Sequence, residues 1–149
     1  MGAGPWLVYN SARRHLMDGS IDLDNDTFSI SLYQNGSNAS DITMQVIGDL
    51  TSEVANANGY TGGGQTLGNV TWNTGDTPAE MRWDANDIIW QAVGGDIVNV
   101  QYAVIWRNKP SAPSYLLFVA ALDENGPFTV PSGNPLSVAF NVQGIFELN

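Results

Sequence analysis

From residue 66 to residue 148 the chain is a rapid succession of short apolar runs, each closed by residues that bend a backbone. The runs at 66–72, 79–84, 87–91, 97–106, 115–122, 128–130, 136–142 and 145–148 are rich in β-branched and aromatic residues. Between them stand Thr74-Gly75-Asp76, Asp84-Ala85-Asn86-Asp87, Gly94-Gly95, Asn108-Lys109-Pro110, Asn125-Gly126-Pro127 and Ser132-Gly133-Asn134-Pro135. Gly supplies φ > 0, Pro fixes φ, and Asn or Asp bonds its own backbone, so each cluster is a turn with a mechanism. Side chains on a strand alternate between faces. In 97–106, Val98, Val100, Tyr102, Val104 and Trp106 therefore share one face. The 115–122 run is apolar on both faces, which predicts a central strand or one covered by a second layer, such as another subunit. Strands this short and this closely spaced predict an all-β chain of the β-sandwich or jelly-roll kind.

The first half is more mixed. Gly4-Pro5 places a proline where a helix can begin, and residues 6–18 predict one short N-terminal helix, with Tyr9, Ala12 and Leu16 on one face. Arg13, Arg14 and His15 fall in its second half, where cations complement the helix dipole, and Gly19 is placed to end it. The same two arginines suit a docking helix that meets an acidic partner. Thr27 to Tyr33 predicts an amphipathic strand, Phe28, Ile30 and Leu32 on one side and Ser29, Ser31 and Tyr33 on the other. Residues 34–41 predict a polar loop, 42–47 an extended segment, and 49–54 one helical turn. A length of 149 residues suits a single domain spanning 1–149, with an N-terminal helical segment at 1–19 and the sandwich at 20–149.

At 59–67 the chain reads Gly59-Tyr60-Thr61-Gly62-Gly63-Gly64-Gln65-Thr66-Leu67. Such a stretch can pass close to other backbone. It does not spell a phosphate loop, which requires Lys and then Ser or Thr after the last Gly, where Gln65 and Thr66 stand here. Nor does it open a helix, as a dinucleotide fingerprint must. It predicts a structural loop feeding the sandwich, with Tyr60 and Leu67 as apolar anchors.

Charge and composition narrow the partners. The net charge is −10, from 15 acidic and 5 basic residues. Such a chain repels phosphate backbones and anionic membrane surfaces, so neither nucleic acid nor membrane is expected as a partner. Charged residues make up only 13% of the chain, about half the usual share, which suits a surface partly covered by neighbours. With no Cys, thiol catalysis and disulfides are excluded. No signal peptide is legible at the N-terminus, the apolar runs are too short to span a bilayer, and Trp6 breaks a myristoylation signal. The four Asn-x-Ser/Thr patterns, at Asn25, Asn35, Asn38 and Asn69, then carry no glycosylation reading.

Chemistry finds little to work with. The one His, His15, sits beside two arginines that disfavour the imidazolium a triad needs. Asp22, Asp24 and Asp26 alternate like the start of a calcium loop, but Thr27 replaces the required Gly and Tyr33 the closing Glu. A turn explains them without a metal. Asp84 and Asp87, flanked by Trp83 and Trp90, resemble a sugar-cleaving pair on paper, yet an Asp-rich hairpin with core tryptophans accounts for them more simply. No catalytic residue, cofactor or metal site is expected.

Taken in order, these pieces resemble a family of tailed-bacteriophage virion proteins of the head decoration, or cement, type. The shared pattern runs Ile21-Asp22-Leu23-Asp24-Asn25-Asp26-Thr27-Phe28, the glycine loop at 59–67, the hairpin from Trp83 to Trp90, then Tyr102-Ala103-Val104-Ile105-Trp106 and Gly144-Ile145-Phe146. The resemblance implies a noncatalytic structural protein on the outer capsid surface of the virion. Its implied partners are the major capsid protein and other copies of itself, a homotrimer before a dimer. Trp and Arg are the residues most enriched at the energetic centres of interfaces. Trp6, Arg13 and Arg14 are thus the first contact candidates, and removal of residues 1–18 is expected to leave a folded β-domain. Tyr60, Gly62 and Gly63 of the loop are the second. The alternative is a tail or fibre module that binds host glycans through exposed Trp72, Trp83 and Trp90, with a glycosidase a distant third.

Overall fold

The computed structural model describes residues 3–141 and 143–148. Its elements in chain order are β1 (Leu7–Val8), α1 (Asn10–Met17), β2 (Phe28–Gln34), β3 (Gln65–Thr66), β4 (Thr71–Thr74), β5 (Met81–Asp84), β6 (Ile88–Gln91), β7 (Ile97–Arg107), β8 (Leu116–Ala121), β9 (Phe128–Val130), β10 (Pro135–Val138) and β11 (Phe146–Leu148). Among the described residues the chain is all-β with one short α-helix. Every strand pair is antiparallel. The main sheet runs β1-β8-β7-β2-β3, with β9 also on β7; β11-β5-β4 and β10-β6 form two smaller sheets.

Aromatic side chains join the layers. Trp83 of β5 meets Phe28 of β2 edge-on at 5.1 Å and Phe118 of β8 at 5.6 Å, and Phe118 stacks on Phe146 of β11 at 5.5 Å. The face of the main sheet bearing Phe28 and Phe118 is therefore covered by the three-stranded sheet. The opposite face, through Ser31, Val104 and Val119, is equally buried. Residues 35–54 account for that. This segment bonds the edge of β8, Leu116 N–H to Gln45 O and Val46 bridging Tyr115. It also bonds the edge of β2, Val54 N–H to Leu32 O and Glu53 bridging Tyr33. A chain fixed at both edges must cross a face, and Ile42, Met44, Ile47 and Leu50 pack on the core as it does so.

Several local expectations are corrected. Residues 6–18 do not form one helix: Leu7 and Val8 pair with Val119 and Phe118, and the helix starts only at Asn10. Gly4 N–H already bonds Ala121 O, so the chain runs along β8 before it coils, and Pro5 does not open the helix. Gly19 does end it, at φ +82°. β2 is buried on both sides rather than amphipathic: Ser31 Oγ–H donates to Gly63 O and its Oγ accepts Trp106 Nε1–H, while Ser29 Oγ accepts Asn108 Nδ2–H. Residues 42–47 are extended only in part: 42–43 form a turn, Val46 is extended and makes a bridge, and the helical turn falls at Ile47–Asp49, where Asp49 Oδ2 accepts Gln45 N–H and Val46 N–H. The 66–72 run is split into β3 and β4 around Asn69, at φ +50°. In β7, Asn99 sits at φ +56° and the register slips beside it. The bulge turns Val98 out to solvent while Ile97 and Val100 are buried. The 136–142 run is a strand to Val138, and Val142 lies outside the described residues. Both faces of β8 are covered within the chain, so its apolar character calls for no second subunit.

Candidate functional site

The glycine loop is a buckle between layers. Gly59, at φ +95°, lies so close to Gln91 O that a Cβ would overlap it, and Gly64, at φ +78°, stands likewise against Ile30 O. Glu53 closes the loop: its Oε1 accepts Tyr60 O–H at 2.8 Å and Gly63 N–H at 2.7 Å. Tyr60 Oη in turn accepts Leu32 N–H at 2.9 Å, and Ser31 Oγ–H donates to Gly63 O at 2.8 Å. Burial raises the Tyr60 phenol well above the usual tyrosine value, so it acts as a fixed hydroxyl. Of the three loop residues proposed as contacts, Tyr60 is only 2% exposed and thus faces the core; Gly62 is exposed and Gly63 partly so.

Trp6, Arg13 and Arg14 are not gathered on one face patch but line three separate depressions. Trp6 is partly buried against Phe140, centroids 5.9 Å apart, beside Ala120, Leu136 and Val138. Arg14 lines a polar hollow with Asn10, Ser11, Thr43 and Gln45. Arg13 lines an apolar groove of about 540 Å³, whose walls include Val8, Leu16, Met17, Leu23, Trp72 and Phe146. Trp72 stacks on Phe146 at 6.2 Å, and Phe146 on Phe118 at 5.5 Å, so the wall continues into the core. Met17 is 88% exposed. Neither the groove nor the Glu53 buckle was foreseen from sequence. Met17 lies off the Tyr9-Ala12-Leu16 face, so helical periodicity could have placed it outside. The Glu53–Gly63 pairing leaves no local signal.

The remaining candidates have structural partners. Asp22 accepts Asp24 N–H, Asn25 N–H and Asn25 Nδ2–H, bonds that hold its carboxyl below the usual carboxylate range, the Asn25 side chain most of all. Asp26 faces Arg107 at 3.7 Å and Lys109 at 3.3 Å. Asp84 caps Ala85 N–H and Asp87 caps Phe140 N–H. Among the described residues no group of three or more His, Asp and Glu is arranged to hold a metal ion. Trp83 and Trp90 are core, with Trp83 Nε1–H bonded to Leu23 O; of the three tryptophans named for glycan stacking only Trp72 is partly exposed. His15 is buried, stacked on Tyr115 at 3.7 Å, with the Arg107 guanidinium 4.6 Å from the Tyr115 ring. Burial first, then Arg14, pushes its pKa down.

No family model, curated protein or solved structure matches the chain. No described helix is long and apolar enough to cross a membrane.

Proposed function

We propose that this chain is a noncatalytic virion protein of a tailed bacteriophage that binds the outer surface of the head as a decoration protein and stabilises it. One observation supports this reading above the others. The residues that give the sequence its character, the glycine loop, the aspartate turn and the tryptophan hairpin, are engaged by partners within the chain. What they leave outward is an apolar groove lined by Arg13 on an otherwise acidic molecule. That is a framework with a contact surface, which suits cement and not turnover. The partners proposed are the major capsid protein and further copies of the chain, a homotrimer before a dimer. A head offers many equivalent positions, so modest contacts gain by multivalency. A protein that prefers the closed shell stabilises it by mass action.

The glycan-binding alternative loses support because two of its three rings are core. Heads assembled without the protein separate the two readings. Decoration predicts DNA release at lower temperature, or on dilution or chelation, with adsorption to cells unchanged. Intact head stability with impaired adsorption would instead favour the tail or fibre module.

A further inference from the structure

We propose that the groove between α1 and the β4–β5–β11 sheet is a docking site for a protein segment that presents a large apolar side chain beside a carboxylate. The shape of the groove supports the first half of that description. At about 540 Å³ it is the size of a ligand pocket, enough for one or two large side chains. Its Trp72–Phe146 wall is tied to Phe118 and so to the core, and does not have to form on binding. Preorganisation of this kind lowers the entropy lost on association. Met17 at the groove is free to adapt, as a flexible thioether does against varied apolar partners.

Charge supports the second half. Of the five basic residues, Arg82 pairs with Asp76 and Glu147, while Arg107 and Lys109 pair with Asp26. Among the described residues neither Arg13 nor Arg14 makes a close ion pair, and only Arg14 feels a carboxylate of its own helix end, Asp18. Arg13 lines this groove, and its guanidinium bonds only the neutral Asn10 Oδ1, at 3.1 Å. Asp22 also lines the groove, but its carboxylate is already engaged by three N–H groups of its own turn. What the groove leaves unengaged is therefore the guanidinium donors of Arg13, since the Asp22 oxygens, though still charged, are taken up by their own turn. A carboxylate can bond a guanidinium bidentately, and the surrounding acidic surface rejects acidic segments that do not reach Arg13. The inference rests on the decoration reading only for the partner's identity, which under that reading is the major capsid protein.

The test needs no phage. The full-length protein, labelled for NMR, is titrated with acetyl-Asp-Trp-Leu-Asp-amide and, separately, with its analogue in which both Asp are Asn. Saturable shifts are expected at the Met17 methyl, the Leu16 methyls and the Trp72 indole N–H, with the Asp peptide binding at least about fivefold tighter than the Asn peptide. Arg13→Gln should remove that preference, and Met17→Ser should weaken both peptides; both positions are exposed, so neither change threatens the fold. Shifts confined to other surfaces, no saturable binding, or equal binding of the two peptides would overturn the proposal. So would self-association through the groove, seen as an oligomer in sedimentation that Met17→Asp dissociates. Peptide binding with undecorated heads would refute the decoration reading alone.

Discussion

Single residues here differ in consequence according to what lies beside them. Gly64 and Gly19 share nearly the same backbone, φ +78° and +82°, but a Cβ at Gly64 overlaps the Ile30 carbonyl while one at Gly19 meets nothing within 4 Å. Gly19→Ala should cost only the left-handed strain, about 1 kcal/mol. Gly64→Ala must also move the loop off β2, and more than about 2 kcal/mol is expected. Gly62→Ala should stay within about 0.5 kcal/mol. Urea unfolding of the three variants checks the order, and equal losses at Gly64 and Gly19 would mean the loop does not press on β2. His15 gives a pH dependence. Its folded pKa lies below the ordinary imidazole value of 6.5, chiefly through burial, with Arg14 and Arg107 adding to it and Asp18 opposing. The unfolded chain therefore takes up the proton first. The contribution of the neutral ring is whole above about pH 6.5 and is lost as pH falls from there through the lower folded value. Urea midpoints should drop across that interval, and His15→Gln should flatten the drop; an unchanged slope would contradict a buried neutral ring.

At the scale of elements, the N-terminal segment is part of the framework. Removing residues 1–18 deletes β1, the Gly4–Ala121 and Tyr9–Leu117 backbone bonds, and the fully buried Tyr9 and Ala12. The truncated chain is expected to lose its cooperative thermal transition, contrary to the sequence expectation of a folded remainder. Arg13→Gln with Arg14→Gln should keep the transition and is the usable probe of docking. Near-UV circular dichroism on heating distinguishes the two. What sequence could reveal follows the same division. β5 to β11 were legible because alternation and turn chemistry are local, and Asn125-Gly126-Pro127 or Gly94-Gly95 needs no tertiary context to bend. β1 was not, because two residues are too few to display a period and Gly4-Pro5 fits a helix start equally well. The 35–54 crossing was not, because its path is set by bonds to two distant strand edges. Of the contact candidates, Arg13 was legible as a cation on the helix, whereas the burial of Tyr60 depends on Glu53 and Leu32, brought to it by the fold.

At the scale of the molecule, an antiparallel framework carries net charge −10, and the arginines without a close ion pair among the described residues, Arg13 and Arg14, both lie on α1. Ion pairs consume the other basic residues, Arg82 at the β5–β11 edge and Arg107 with Lys109 at Asp26. Docking that depends on Arg13 and Arg14 is then set by a few charges against a repulsive background, and it favours one orientation on a partner over many. The most direct test is a reconstruction of the virion at a resolution that traces side chains. The account predicts this fold on the outside of the head, in trimers at local threefold positions, with α1 and the Trp72–Phe146 groove turned toward the capsid. Density for the fold only in the tail or fibres, or on the head with α1 facing solvent, would contradict it.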